Sequence, residues 1–218
     1  MNPPKCDEQD YIQFLISTPN AFSAVEAART HPDGEEGPAH DAYTRLLYRS
    51  QADGAALWEE AQTLVKRTTG MLVLDDSTLD KPYAQKMDLV TQHWSGKHNA
   101  VVKGINLISL LWTDGEAAVP CDFRIYDRDH NGLTKNDHFR AMVREAAERG
   151  FEPELVAFDS WYAALENLKL LRDLEWDWLT RLKSNRLVDP DGEGNRAVSE
   201  IAIPPQGQRV HLKGYGWV

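Results

Sequence analysis

The sequence predicts an α/β protein built on one mixed sheet, with a helical region ahead of the sheet and a β-rich segment behind it. Three observations carry this expectation. Two short apolar runs, residues 71–74 and 155–158, each end in aspartate, and compact apolar runs of that length suit strands buried on both faces. Between them, Asp114-Gly115 separates two longer apolar stretches, residues 102–112 and 117–126, which is a strong hairpin signal. Amphipathic stretches at helical spacing fill the remaining gaps, about residues 135–149 and 161–172.

In chain order, residues 10–16 read as a short amphipathic helix, followed by a loop rich in Pro, Gly and acid at 31–40. Asp41 is a plausible N-cap for a helix carrying Tyr43, Leu46 and Leu47. A further helix carries Leu57, Trp58, Ala61, Leu64 and Val65, with Gly70 placed to end it, so residues 1–69 form an N-terminal helical region. The helix over 135–149 buries Phe139, Met142, Val143 and Ala146 and stops at Gly150. The next carries Leu165, Leu168 and Leu171, and a fifth strand at 178–182 leads into Lys183-Ser184-Asn185-Arg186. The order of elements in residues 70–188 is three strands, helix, strand, helix, strand. That is the ribonuclease-H-like order, stopping before its last helix. Residues 189–218 are rich in Asp, Gly and Pro, with short alternating pieces at 201–203 and 210–212.

Composition narrows the function classes. The 218 residues are 42% hydrophobic and 27% charged, as in ordinary globular chains. With 34 Asp and Glu against 24 Lys and Arg, the formal net charge is −10, so any nucleic-acid role must rest on a local site. No apolar run is long enough to span a membrane, and residues 1–10 lack the basic and apolar regions of a signal peptide. Cys6 and Cys121 are too few and too far apart for a disulfide framework or a zinc site. A reduced, cytoplasmic setting is expected.

Two acidic positions stand out, Asp75 (with Asp76) and Asp159, each at the C-terminal end of an apolar strand. Ligands of open α/β sheets bind beyond those ends. Carboxylates brought together there repel unless protonated or bound to a hard cation such as Mg²⁺. The competing reading is structural: a turn acid, or an N-cap in the case of Asp159. Lys81, Lys183 and Arg186 are candidates for contacts to DNA phosphates, against the alternative of solvated strand ends. The 94–98 segment, Trp-Ser-Gly-Lys-His, reads as a loop. Asp127, Asp129, Asn131 and Gly132 imitate the opening of an EF-hand loop, but His138 stands where the bidentate Glu belongs, so a polar turn is expected. The seven histidines show no paired metal spacing. Trp58, Trp112, Trp176 and Trp178 lie among apolar positions and are expected in the core.

Leu-Val-Leu-Asp-Asp-Ser-Thr-Leu-Asp-Lys-Pro (72–82) resembles the first acidic box of the DDE transposases encoded by bacterial insertion sequences, and Val-Ala-Phe-Asp-Ser-Trp-Tyr (156–162) resembles their second. Residues 178–186 are similar to the strand after the second Asp, and 99–126 to the family's hairpin. The resemblance spans about residues 69–188. It implies a ribonuclease-H-like fold and two-metal, Mg²⁺- or Mn²⁺-dependent cleavage and strand transfer. The implied partners are double-stranded DNA at transposon ends and target sites, bound by a homodimer. It also implies that Asp75 and Asp159 are metal ligands. Asp75-x-Ser77 fits the family's Asp-x-Ser/Thr form and is favoured, and Asp76-Ser77-Thr78 fits it too. Alternation along a strand lets only one of the pair point fully into the site. The resemblance further implies that residues 189–218 begin a β-rich insertion. The family's third carboxylate is a Glu on the last helix, and neither Glu193 nor Glu200 falls on a predicted helix. The chain is therefore expected to be C-terminally truncated and impaired as a catalyst on its own. The alternatives are a non-catalytic DNA-binding regulator of transposition and a gene remnant.

Overall fold

Burial divides the chain into two compact units, residues 1–52 and 53–218. The computed structural model describes residues 4–19, 22–50, 53–96 and 98–218. In the first unit, helices α1 (Glu8–Ser17), α2 (Ala24–Thr30) and α3 (His40–Arg49) surround Cys6, Phe14, Ala27, Ala42, Tyr43 and Leu46. A capping box starts α1, with Asp7 accepting from the Asp10 amide and Asp10 returning to the Asp7 amide. Asp41 does not cap α3, which begins at Ala39 without a side-chain cap. It pairs instead with Arg45 one turn on, at 2.9 Å. The sequence reading contained no helix at α2, whose short run buries only Ala27 and so has no apolar stripe to read.

The second unit opens with α4 (Gly54–Ala61), capped by Asp53. The sequence reading grouped this helix with the N-terminal region. It packs instead on the larger unit, against the strand carrying Asp122, and a Cβ at Gly54 would lie 1.9 Å from an Asp122 carboxylate oxygen. A 3-10 turn at Gln62–Leu64 follows it.

Strands β1 (Met71–Asp80), β2 (Thr91–Ser95), β3 (Ala100–Thr113) and β4 (Ala118–Tyr126) come next, then a single helical turn α5 (Arg128–Asn131) and α6 (Lys135–Glu148). After these come β5 (Leu155–Phe158), α7 (Leu165–Asp173) and β6 (Trp178–Thr180). The sheet order is β2-β3-β1-β5-β6, with β4 also on β3. β1 is antiparallel to β3 and parallel to β5, which is parallel to β6. β2 and β4 pair with successive halves of the long β3.

β1 does not end at its acids. β3 runs beside it as far as Asp80 opposite Gly104, and this pairing carries the strand on through Asp75 and Asp76. β2 was not anticipated, so Trp94 and Ser95, read as loop, are strand residues; Lys97 lies outside the described residues. The EF-hand-like segment is the polar turn α5, closed by Gly132 in the left-handed region and by an Asp127–His130 pair at 2.7 Å.

The core lies between the sheet and the two long helices. Leu72 and Leu74 of β1, Ile108, Leu110 and Trp112 of β3, and Val156 of β5 are all buried. They meet Phe139, Met142, Val143 and Ala146 of α6 and Leu168 and Leu171 of α7. Each large side chain so buried contributes about 1.5–3 kcal/mol. Trp176 is buried with them, and Trp58 and Trp178 pack partly buried against them. Cys6 and Cys121 are free and buried. Residues beyond β6 form a small sheet of β7 (Leu187–Asp189), β8 (Arg196–Ala197), β9 (His211–Leu212) and β10 (Gly216–Trp217), in the order β10-β9-β7-β8. Val188 and Leu212 join it to the main core. Among the described residues no helix is long and apolar enough to cross a membrane.

Two substitutions test this packing by urea denaturation. Phe139→Ala removes a ring that meets Phe158 edge-on at 5.1 Å and stacks on Tyr162 at 5.6 Å, and should cost about 3–5 kcal/mol. Gly70→Ala forces a side chain onto φ 77 with its Cβ 2.6 Å from the Thr113 carbonyl oxygen, and should cost about 1–3 kcal/mol.

Candidate active site

Strand alternation sorts the acids of β1. Leu72, Leu74 and Asp76 share the face turned to the core, and Val73 and Asp75 share the other. Asp76 therefore arrives at the start of α6 as a mostly buried carboxylate. There one oxygen accepts from Lys135 Nζ at 2.6 Å and from Asn106 Nδ2 at 2.8 Å. The other accepts from the Tyr162 hydroxyl at 3.0 Å. Burial works against its ionisation, but the Lys135, Asn106 and Tyr162 bonds outweigh that and hold Asp76 below the ordinary carboxylate range. The Tyr162 phenol is pushed far up, first by burial and then by the Asp76 charge.

Lys135 is placed by local sequence. It is the first residue of α6, and a capping box between Thr134 and Asp137 fixes where that helix begins. Tyr162 is held by the loop after β5: Asn167 donates to its carbonyl at 2.9 Å, and Arg186 donates to the Ala163 carbonyl.

Asp75 and Asp159 stand one step past the last paired residues of β1 and β5, Leu74 and Phe158. Each spends one oxygen locally. Asp75 accepts from the Asp76 amide at 2.8 Å, and Asp159 from the Trp161 amide at 2.9 Å. Asp159 is thus a turn acid rather than a helix cap, because α7 starts later, after Ala164. Their second oxygens take no hydrogen bond from the described residues. Desolvation by the cavity walls raises the Asp75 pKa; repulsion from Asp76 and Asp159 adds to this, against an opposing Asp76 amide bond and the Lys135 charge.

The three acids line one cavity of about 780 Å³, together with Asp80, His93, Trp94, Tyr126, Lys135 and Trp161. His93 is buried beside Thr91, 2.8 Å away, and its pKa is lowered by burial and by the Lys135 charge. At one end Asp80 meets His98 at 2.9 Å.

The other sequence candidates distribute unevenly. Lys183 Nζ sits 5.0 Å from the centre of the Trp161 ring and lines a neighbouring groove rather than the acid cavity. Arg186 turns inward to the Ala163 carbonyl. Lys81 is exposed just past β1 and does not line the cavity; its amide donates to the Lys103 carbonyl at 2.8 Å. The sequence reading missed Asn106, Tyr162 and Lys135. Asn106 had a signal, a lone amide within an apolar strand, and Tyr162 lay inside the second acidic box. Lys135 had none, since its partner is 59 residues away.

Oxygen donors paired in this way fit a hard divalent cation, which would relieve the repulsion that raises Asp75. Among the described residues no group of three or more His, Cys, Asp or Glu is arranged to hold a metal.

Asp76→Asn leaves the Lys135 ammonium without its counter-charge and should cost about 1–3 kcal/mol of stability. Because the folded-state pKa of Asp76 is depressed, the wild type's advantage over the variant is fully present above 3.8. It is lost as pH falls through the lower folded value. Thermal melts of both proteins across acidic pH check this, and a constant difference would contradict it.

The sequence pattern of the DDE superfamily endonucleases matches residues 5–212. No curated protein matches the sequence. Among solved structures, a piggyBac transposase synaptic complex with hairpin DNA is 11% identical with a TM-score of 0.40, over 68% of this chain and 34% of that one. A Drosophila P element transposase strand transfer complex is 11% identical with a TM-score of 0.36, over 86% and 50%. The Mos1 strand transfer complex is 12% identical with a TM-score of 0.30, over 84% and 60%. The chain spans between about a third and three fifths of the length of these transposases. The family pattern covers nearly every residue described above, both aspartate boxes included, and the chain belongs to the DDE superfamily endonuclease family.

Proposed function

We propose that this chain carries the catalytic core of a DDE-type transposase, a ribonuclease-H-like domain over residues 70–188 that cleaves and joins transposon-end DNA. The observation that supports the reading best is the register of Asp75 and Asp159. They are adjacent at the carboxyl ends of two parallel strands, with the Asp75 carboxyl raised by burial and by its neighbours' charge. Asp75 and Asp159 would hold Mg²⁺ or Mn²⁺. A bound ion of this kind supplies activation of a water or 3′-hydroxyl and stabilises charge on the leaving oxygen.

The residues around the pair have separable roles. Asp76 neutralises Lys135 and anchors Tyr162, which fixes the loop carrying Asp159. Lys183, over the Trp161 ring, would offer a cation to a DNA phosphate, and two chains acting on two DNA ends form the expected assembly. Mg²⁺ commonly takes one or two carboxylates and completes its shell with water and substrate phosphate. Two acids therefore suffice to bind one ion weakly.

Titration with Mn²⁺, followed by calorimetry, tests the assignment. Asp75→Asn and Asp159→Asn should each weaken binding by about tenfold or more, in line with the loss of one charged ligand. Unaltered binding in both variants would remove the proposed site. Mn²⁺ must also displace protons from Asp75, whose raised pKa means that wild-type affinity declines at a higher pH than an ordinary aspartate would set. The same elevation means that ionised Asp75 weakens the fold as pH rises through its folded value. Added Mg²⁺ should therefore raise Tm at neutral pH and do so less in acid.

A further inference from the structure

The cavity holding the acids does not end at Trp161. Ser160 lines both that cavity and a second groove of about 850 Å³, which runs between the end of β6 and the small sheet. Arg181, Lys183 and Asn185 line this groove together with Ile201, Ile203 and Val210. We propose that Trp161 is a stacking platform for an unpaired nucleobase. The groove beyond it would carry the single-stranded DNA that leads away from the acids. This inference rests on the DNA-cleavage reading of the same site and goes beyond it by specifying the form of DNA bound there.

Trp161 is 55% exposed, although its neighbour Tyr162 is fully buried. Its backbone is fixed all the same, through the amide bond to Asp159 and the anchoring of Tyr162 on Asp76. A large aromatic ring is thus more than half exposed on a rigid loop, two residues from a candidate metal ligand. Two ammonium groups lie over that ring, Lys183 at 5.0 Å and Lys135 at 5.9 Å. The Lys135 charge is taken up by Asp76, whereas Lys183 forms no salt bridge among the described residues. In a chain of net charge −10, such a cation over a half-exposed ring would exchange the ring for the phosphate of a base that stacks in its place.

The position of Lys183 is not accidental to the loop. Residues 183–186 form a turn closed by the Arg186 amide on the Lys183 carbonyl at 2.9 Å, and the Arg186 side chain ties that turn to the Ala163 carbonyl. The platform and its cation are therefore one unit. A duplex hides the faces of all but its terminal bases, so an internal base can stack here only when it is unpaired. The apolar side chains of the groove would give later bases a surface while their phosphates follow Arg181 and Lys183.

The test compares the full chain's affinity for a short blunt duplex and for the same duplex with a single-stranded extension of about six nucleotides. Binding is followed by fluorescence anisotropy in EDTA. The extension should tighten binding by about tenfold and quench tryptophan fluorescence. Trp161→Ala should abolish most of that gain and the quench while leaving blunt-duplex binding unchanged. Trp161→Phe, which keeps a ring, should retain most of the gain, and Lys183→Ala should lose part of it. A full gain in Trp161→Ala, or equal loss for both DNAs, overturns the inference and leaves the DNA reading standing. If the wild type binds neither DNA, the DNA reading falls and takes the inference with it.

Discussion

The Asp76 carboxylate holds together four parts of the second unit. It sits on β1 and receives Lys135 from the start of α6, Asn106 from β3 and the Tyr162 hydroxyl from the loop after β5. A carboxylate placed on the core face of a strand is tolerable only when its charge and both oxygens are satisfied. Here they are, and each donor comes from a different element. The consequence reaches beyond stability. Tyr162 cannot move without breaking a bond to that carboxylate, so the 159–163 loop is fixed, and with it the positions of Asp159 and Trp161.

The division of labour between adjacent aspartates follows from the pleat. Asp76 points with Leu72 and Leu74 toward α6, where donors await it. Asp75 points with Val73 to the opposite face, where β5 brings Asp159. One acid is thus held ionised by its bonds while its neighbour is destabilised by burial and like charge, and the opposite directions of their pKa shifts express that difference. Adjacent titratable groups pushed apart in this way are a common sign of distinct roles. The face carrying Asp75 also bears Val73, Ala157 and Leu179, which leaves an apolar strip beside the acids.

The remainder of the second unit extends the site outward from this anchor. Cations are scarce in an acidic chain, and those at the cavity are disposed unequally. Lys135 is consumed inside by Asp76, Arg186 braces a loop, and Lys183 stands over the Trp161 ring and lines the neighbouring groove. The small sheet that follows β6 contributes Val188 and Leu212 to the core, and the segment between β8 and β9 supplies Ile201, Ile203 and Val210 to the groove past Ser160.

The sequence by itself determined the elements whose signals are local and periodic. The buried strands at 71–74 and 155–158, the hairpin around Asp114-Gly115 and the apolar face of α6 were all legible, because burial imposes its period directly on the residues. Both aspartate boxes were legible for the same reason, as abrupt ends of apolar runs. Only the tertiary structure decided how far β1 runs, since its polar half is held by pairing with β3 rather than by its own composition. It also revealed β2, a short edge strand that pairs only with β3, and it moved α4 to the larger unit through packing on β4. Which donors surround Asp76 was likewise beyond sequence reasoning. Lys135, Asn106 and Tyr162 are separated from it by 59, 30 and 86 residues, and contacts at such distances leave no periodic trace in the chain.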